Sequence, residues 1–244
     1  MDYQSKYVRK LLERDYTELA RGLSDELQSE FSYYLARQFY KYRFSKSYSK
    51  ETYLMAAILL GTRFDEDLIY SEGRKILEAD APCYLRMAHL KSEIFAQRDN
   101  VYGARYENYA RALKRVIAKE ERHIFDREQQ SEHATIMILR LFPEKANILS
   151  KMQIEKLVDK SNTISRNYFP NDMYLSGAIV IFCHMFLLGT GCVDDPLHDY
   201  VRRILHSDDP DKARILFRYG QKRAKAQLRA FEKFVKQEKE NKYV

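Results

Sequence analysis

The 244-residue sequence contains no tryptophan and only five prolines and eight glycines. Proline and glycine most often interrupt regular structure, so their scarcity leaves long segments between turns. Apolar residues recur in these segments at helical spacing, and no segment alternates with period two for long enough to predict a strand. We therefore expect an all-α protein of about ten or eleven helices.

Cysteine is also scarce: Cys83, Cys183 and Cys192 are an odd number without the spacing of a metal site. Free thiols in a reducing compartment are the simplest interpretation, so we expect a cytoplasmic protein. The N-terminal segment carries charges where a signal peptide needs an apolar run, which predicts no export signal.

Long hydrophobic runs are missing as well. The most apolar stretch, residues 173–193, has a continuous apolar core of eleven residues, 178–188, with His184 in its middle. A membrane-spanning helix needs about 20 apolar residues, whereas runs of about 10–14 are typical of buried core helices. We predict a central core helix here, and a membrane partner is disfavoured.

What the chain does contain is a globular composition, with 45% hydrophobic and 32% charged residues. Nineteen tyrosines are interpreted first as packing residues whose hydroxyls reach water. The net charge of +7 is uneven, because residues 212–244 hold eleven Lys/Arg and only three Asp/Glu. The remaining residues sum to about −1, so the basicity belongs to the C-terminal segment.

An internal repeat emerges when the chain is shifted by 128 residues without a gap, which aligns residues 59–86 with residues 187–214. Eleven of these twenty-eight positions are identical, where chance would give about one or two. We predict two related five-helix halves, 1–99 and 131–244, joined by a tyrosine-rich helix over residues 100–130. One compact domain is the alternative organisation.

Each copy of the repeat contains an Asp and an Arg seven residues apart, Asp67 with Arg74 and Asp195 with Arg202. One interpretation makes these four residues a binding site, either duplicated or shared on a pseudo-twofold axis. In the other, each Asp caps a short helix and each Arg ties that helix to a neighbour. Caps and turns are the usual role of Asp in such positions, so the structural interpretation is favoured.

Metal-ligand fragments occur, but none is complete. Glu120 and His123 form a single Glu-x-x-His, whereas a carboxylate di-iron bundle needs this motif on two helices. Asp195 and His198 resemble another fragment, which the first copy lacks. We expect no metal or other cofactor, and keep a metal-dependent hydrolase at His123, Asp195 and His198 as an alternative.

The C-terminal segment predicts a long basic amphipathic helix. Its apolar stripe consists of Phe217, Gly220, Ala224, Leu228, Phe231 and Val235. The candidate binding residues beside the stripe are Lys222, Arg223, Lys225 and Arg229. We expect the stripe to dock on the protein, because amphipathic faces usually serve the core, and docking leaves the basic face free for a partner.

No catalytic motif is present: there is no phosphate-binding loop, no Gly-x-Ser-x-Gly elbow and no zinc-protease motif. The leading hypothesis is a non-enzymatic helical binding or regulatory protein that engages an acidic protein partner through the C-terminal helix. A nucleic-acid-binding protein is the second hypothesis, the hydrolase is the third, and self-association is compatible with each.

Overall fold

A computed structural model describes residues 2–120, 131–170 and 176–241. These residues form thirteen α-helices and no strand, which confirms the predicted all-α fold. The first six helices are α1 (Tyr3–Asp15), α2 (Thr17–Gly22), α3 (Asp25–Lys41), α4 (Ser47–Leu60), α5 (Ser71–Glu78) and α6 (Cys83–Gln97). The others are α7 (Glu107–Ile117), α8 (Ser131–Leu139), α9 (Pro143–Ala146), α10 (Lys151–Tyr168), α11 (Ser176–Leu188), α12 (Asp199–Leu205) and α13 (Lys212–Asn241).

The helices belong to two compact units. The first unit comprises Met1–Ala96 and Leu188–Arg203, and the second comprises Gln97–Leu187 and Ile204–Val244. The first unit therefore includes part of the second aligned segment, residues 187–214, a grouping that the sequence division into 1–99 and 131–244 does not anticipate.

Helix α3 illustrates how the sequence sets the local structure of the first unit. The Ser24 side chain accepts a hydrogen bond from the Leu27 amide and caps the helix. Beyond α3 the chain returns through an aromatic cluster centred on the fully buried Tyr53, whose ring lies 4.9 Å from that of Phe64. Tyr42 and Phe44 pack on the same cluster, and the Tyr42 hydroxyl donates to buried Asp65 over 2.8 Å. These anchors fix the connection between α3 and α4.

Helix α11 is the predicted apolar core helix of the second unit. Every residue from Ser176 to Phe186 is buried, including His184, whose Nδ1 lies 2.9 Å from the Val180 carbonyl oxygen. His184 is therefore a core histidine with a backbone partner. Among the described helices, none combines the length and apolar character needed to cross a membrane.

The predicted helix start at Asn100 is wrong. Residues Arg98–Tyr102 form a π-helical turn, and Gly103 and Tyr106 then adopt positive φ angles of 85° and 58°. A left-handed residue cannot continue a right-handed helix, so α7 begins only at Glu107. Residues 121–130 of the predicted connecting helix lie outside the described part of the chain.

The three thiols differ in accessibility, and this gives a first testable prediction. Cys83 is partly exposed, whereas Cys183 and Cys192 are buried, and burial raises the pKa of Cys183 to about 12. Because the thiolate is the reactive form, a short pulse of iodoacetamide at neutral pH should label Cys83 well before Cys183 and Cys192. Peptide mapping by mass spectrometry measures this order. Denatured protein, in which all three should label alike, is the control, and equal labelling of Cys183 in folded protein would contradict the prediction.

Candidate functional site

Two turns from the aligned segments, residues 61–67 and 189–195, are hydrogen-bonded to each other reciprocally; we call them the paired turns. Asp195 Oδ2 accepts from the Thr62 amide over 2.8 Å, and Asp195 Oδ1 accepts from the Thr62 hydroxyl over 2.5 Å. In the opposite direction, Asp67 Oδ2 accepts from the Thr190 amide over 2.7 Å. Each Asp thus binds the Gly-Thr turn of the other aligned segment.

Each of these carboxylates also accepts a hydrogen bond from the backbone amide two residues further along its own segment. Asp67 Oδ1 accepts from the Ile69 amide over 2.7 Å, and Asp195 Oδ1 accepts from the Leu197 amide over 2.9 Å. Both residues are at most 5% exposed. A buried carboxylate whose two oxygens accept hydrogen bonds needs no ligand to satisfy it, which supports the structural interpretation of the pair.

The glycines that precede the two threonines allow each Asp carboxylate to lie close to the backbone of the opposite turn. Gly61 and Gly189 have φ angles of 103° and 104°, a region that residues with a side chain rarely adopt. A methyl group at Gly189 would lie 2.8 Å from Asp67 Oδ2, and one at Gly61 would lie 3.5 Å from Asp195 Oδ2. In both aligned segments, Leu-Leu-Gly-Thr therefore marks a turn whose threonine amide binds the Asp carboxylate of the other segment.

The two aligned arginines have different surroundings. Arg202 donates through Nη1 to both carboxylate oxygens of Glu30, at 2.7 and 2.9 Å, and through Nη2 to Asp199. Its hydrogen bond to Glu30 raises the pKa of Arg202 above its ordinary value. Arg74 is largely exposed and pairs only with Glu78 on its own helix among the described partners. Part of the difference follows from the sequence, since Ser71 stands in the first aligned segment where Asp199 stands in the second.

The metal-ligand fragments are not brought together in the described part of the chain, where no group of three His, Cys, Asp or Glu side chains could hold an ion. Asp195 already accepts three hydrogen bonds within the paired turns. His123 lies outside the described residues.

The C-terminal helix α13 is docked within the second unit by its apolar stripe. Leu216, Phe217 and Ala224 are buried, and α13 packs along α7. The Gln221 side-chain amide donates to the carbonyl oxygens of Val116 and Lys119 at the end of α7, over 3.0 and 2.7 Å. Gln221 therefore ties α13 to the C-terminal end of α7.

The opposite side of α13 carries four exposed cations, which we call the basic row: Lys222, Lys225, Arg229 and Lys233. Spacings of three and four residues place them on one helix face over roughly 17 Å. No acidic side chain of the described residues forms an ion pair with any of the four. Arg223, the other predicted residue, is exposed but lies about 100° further round the helix.

The structure thus separates the eight predicted binding residues into four environments. Three of the four predicted cations of α13 share one solvent-facing row, and the fourth, Arg223, is exposed elsewhere on the helix. Asp67 and Asp195 are buried in the paired turns, and Arg74 and Arg202 lie in ion pairs. Sequence reasoning missed Thr62, Thr190 and Glu30 as partners. The threonines had a signal, because they are identical in the two aligned segments, whereas Glu30 had none.

No protein-family model, curated protein or solved structure matches this chain.

Proposed function

We propose that this protein is a non-enzymatic helical binding protein that engages an acidic protein partner through the basic row of α13. The observation that carries the proposal is the combination of a docked apolar side and an exposed, unneutralised cationic side on one helix. Docking holds the backbone that carries the four cations, so little backbone conformational entropy is lost when a partner binds. The free thiols of Cys83, Cys183 and Cys192 support a cytoplasmic setting.

The arrangement favours an acidic protein segment over a nucleic acid at this surface. Residues 1–211 carry a net charge of about −1, so no overall excess of positive charge outside the C-terminal segment adds to the basic row. The one aromatic residue between Lys222 and Lys233 is Phe231, which belongs to the docking stripe, so no ring stands in the row to stack on bases. Four cations over about 17 Å instead fit a short run of carboxylates.

The hydrolase hypothesis has less support. Asp195, its carboxylate ligand, is committed to Thr62 and Leu197, and a metal would have to displace those hydrogen bonds. In this proposal the paired turns are structural. Arg74 forms a surface ion pair within its own helix, and Arg202 forms an ion pair that links two helices.

Charge reversal of the basic row tests the proposal. The triple variant Lys222→Glu, Lys225→Glu, Arg229→Glu should bind a fluorescent 20-residue glutamate-rich peptide about tenfold or more weakly, since each exposed ion pair contributes up to about 1 kcal/mol. Fluorescence anisotropy at two salt concentrations measures the affinity, and binding to the natural sequence should weaken as salt rises.

A matched control changes the same net charge elsewhere in the second unit, at three exposed cations: Arg140→Glu, Lys156→Glu, Arg166→Glu. This variant should keep most of the peptide affinity. Equal losses in both triple variants would show that net charge alone acts, and the proposal would fail. Tighter binding of duplex DNA than of the peptide, lost in the row variant, would favour the nucleic-acid hypothesis instead.

A further inference from the structure

The end of α3 and the connection to α4 form a surface that the basic row does not involve. Residues 31–50 contain five Lys/Arg, five tyrosines and no acidic residue. The structure divides these residues by exposure. Phe31, Leu35, Phe39, Tyr42 and Phe44 are buried, whereas Tyr33, Arg37, Tyr40, Arg43, Lys46 and Tyr48 are exposed.

Three of the exposed side chains lie on one face of α3. Tyr33, Arg37 and Tyr40 are separated by four and three residues, which places them in line along two helical turns. The two tyrosines are therefore about 10 Å apart along the axis, with Arg37 between them. Their exposed fractions are 56% and 61%, so both rings are accessible to a partner.

Arg43 and Lys46 extend this line beyond the helix. Arg43 adopts a left-handed conformation with φ 57°, and its amide donates to the Tyr40 carbonyl oxygen over 3.1 Å. The chain on either side is held by the buried rings of Tyr42 and Phe44, so Arg43 and Lys46 remain on the outside. We call Tyr33, Arg37, Tyr40, Arg43 and Lys46 the tyrosine–arginine face.

The chemistry of this face fits unpaired nucleotides. Arg37, Arg43 and Lys46 have no ion-pair partner among the described residues, so their charges are available to phosphates. No aliphatic side chain of residues 31–48 is exposed, because Leu35 and Ala36 are buried. A protein-binding patch of this size normally includes an apolar centre, whereas aromatic rings set among cations are the pattern that stacks bases and tracks a phosphate backbone.

We propose that the tyrosine–arginine face binds single-stranded nucleic acid, with bases stacked on Tyr33 and Tyr40 and phosphates held by Arg37, Arg43 and Lys46. Single strands are specified because a duplex covers the faces of its bases, and only unpaired bases offer them to a ring. RNA and DNA share this chemistry. The face lies in the first unit and the basic row in the second, so this inference does not rest on the proposed function.

The test measures the affinity of the full chain for three labelled probes by fluorescence anisotropy: 20-nucleotide uridine RNA, 20-nucleotide thymidine DNA and a 20-base-pair duplex. Both single strands, or the RNA alone, should bind more tightly than the duplex. Three phosphate contacts predict a logarithmic salt slope of roughly −2 for a single strand.

Substitution of the rings separates stacking from charge. The double variant Tyr33→Ala, Tyr40→Ala should weaken single-strand binding by at least about tenfold, since stacking on each ring contributes substantially. The double variant Tyr33→Phe, Tyr40→Phe keeps both rings and should keep most of the affinity. The control Tyr3→Ala, Tyr84→Ala removes two rings that are 77% and 66% exposed elsewhere in the first unit, and it should change little.

Three outcomes would overturn the inference. One is duplex binding as tight as single-strand binding, and another is equal loss in the two alanine double variants. The third is a single-strand affinity that disappears on reversal of Lys222, Lys225 and Arg229 but survives the loss of both rings. The last outcome would move nucleic-acid binding to the basic row, and would count against the proposed function as well.

Discussion

Replacement of Asp195 by alanine should lower the free energy of unfolding by about 3–5 kcal/mol, the largest effect expected of a single polar substitution in the first unit. The carboxylate accepts from the Thr62 amide, the Thr62 hydroxyl and the Leu197 amide, and it is 2% exposed. Its removal leaves these donors without an acceptor in a place that water does not reach. An unsatisfied buried donor costs about 1–3 kcal/mol, so several together exceed the loss from an ordinary surface change.

Urea unfolding followed by far-ultraviolet circular dichroism measures the difference. Asp194→Ala is the matched control, because Asp194 is the neighbouring carboxylate and is exposed. It should change stability by less than about 0.5 kcal/mol. Asp195→Asn, which keeps one acceptor oxygen, should fall between the two. A loss at Asp195 no larger than that at Asp194 would refute the account of the paired turns.

Gly189→Ala should destabilise the protein by about 4 kcal/mol, whereas Gly61→Ala should cost about 2 kcal/mol. Both glycines have almost the same φ, so an alanine meets similar backbone strain at either position. The space differs. A Cβ at Gly189 lies 2.8 Å from Asp67 Oδ2 and 3.3 Å from the Leu60 carbonyl oxygen, whereas the nearest atom to a Cβ at Gly61 is 3.4 Å away.

Asp67 cannot withdraw cheaply from a methyl group at Gly189. Its carboxylate holds the Thr190 and Ile69 amides, and any rotation that relieves the contact breaks those hydrogen bonds. Thermal unfolding measures the loss of stability in each single variant. Gly61→Ala reports the backbone strain alone, and Gly189→Ala reports the same strain plus the steric contact with Asp67. Equal losses would show that the contact is relieved without cost, and that the Asp67 carboxylate is not held as firmly as its hydrogen bonds imply.

The helical class could be predicted from the sequence because helix formation depends on local patterns. The eleven-residue apolar core of residues 178–188 was too short for a membrane span, and it lies within the buried helix α11, as its length and composition predicted. The break after Asn100 was missed, since it depends on the positive φ angles of Gly103 and Tyr106. Apolar spacing continues through such a break and does not reveal it.

The candidate sites could be predicted only in part. The basic row follows from helical geometry once the apolar stripe is known to dock, so Lys222, Lys225 and Arg229 could be named together in advance. The alignment identified Asp67 and Asp195 but not their partners, because a periodic pattern gives the face of a helix and not the turn that another segment reaches. The exposed Tyr33 and Tyr40 were interpreted as packing residues, and only the fractional exposure of each ring distinguishes the two roles.

The paired turns also constrain when the first unit can finish folding. Thr62 is separated from Asp195 by 133 positions and Asp67 from Thr190 by 123, and the whole of residues 97–187 lies between the two parts of that unit. A chain emerging from the ribosome exposes its N-terminal residues first, so Asp67 cannot accept the Thr190 hydrogen bond until the distant turn has been synthesised. Contacts of such long sequence separation slow folding. The N-terminal helices are therefore expected to mature late, after translation has passed Asp195, although they are the first to be made.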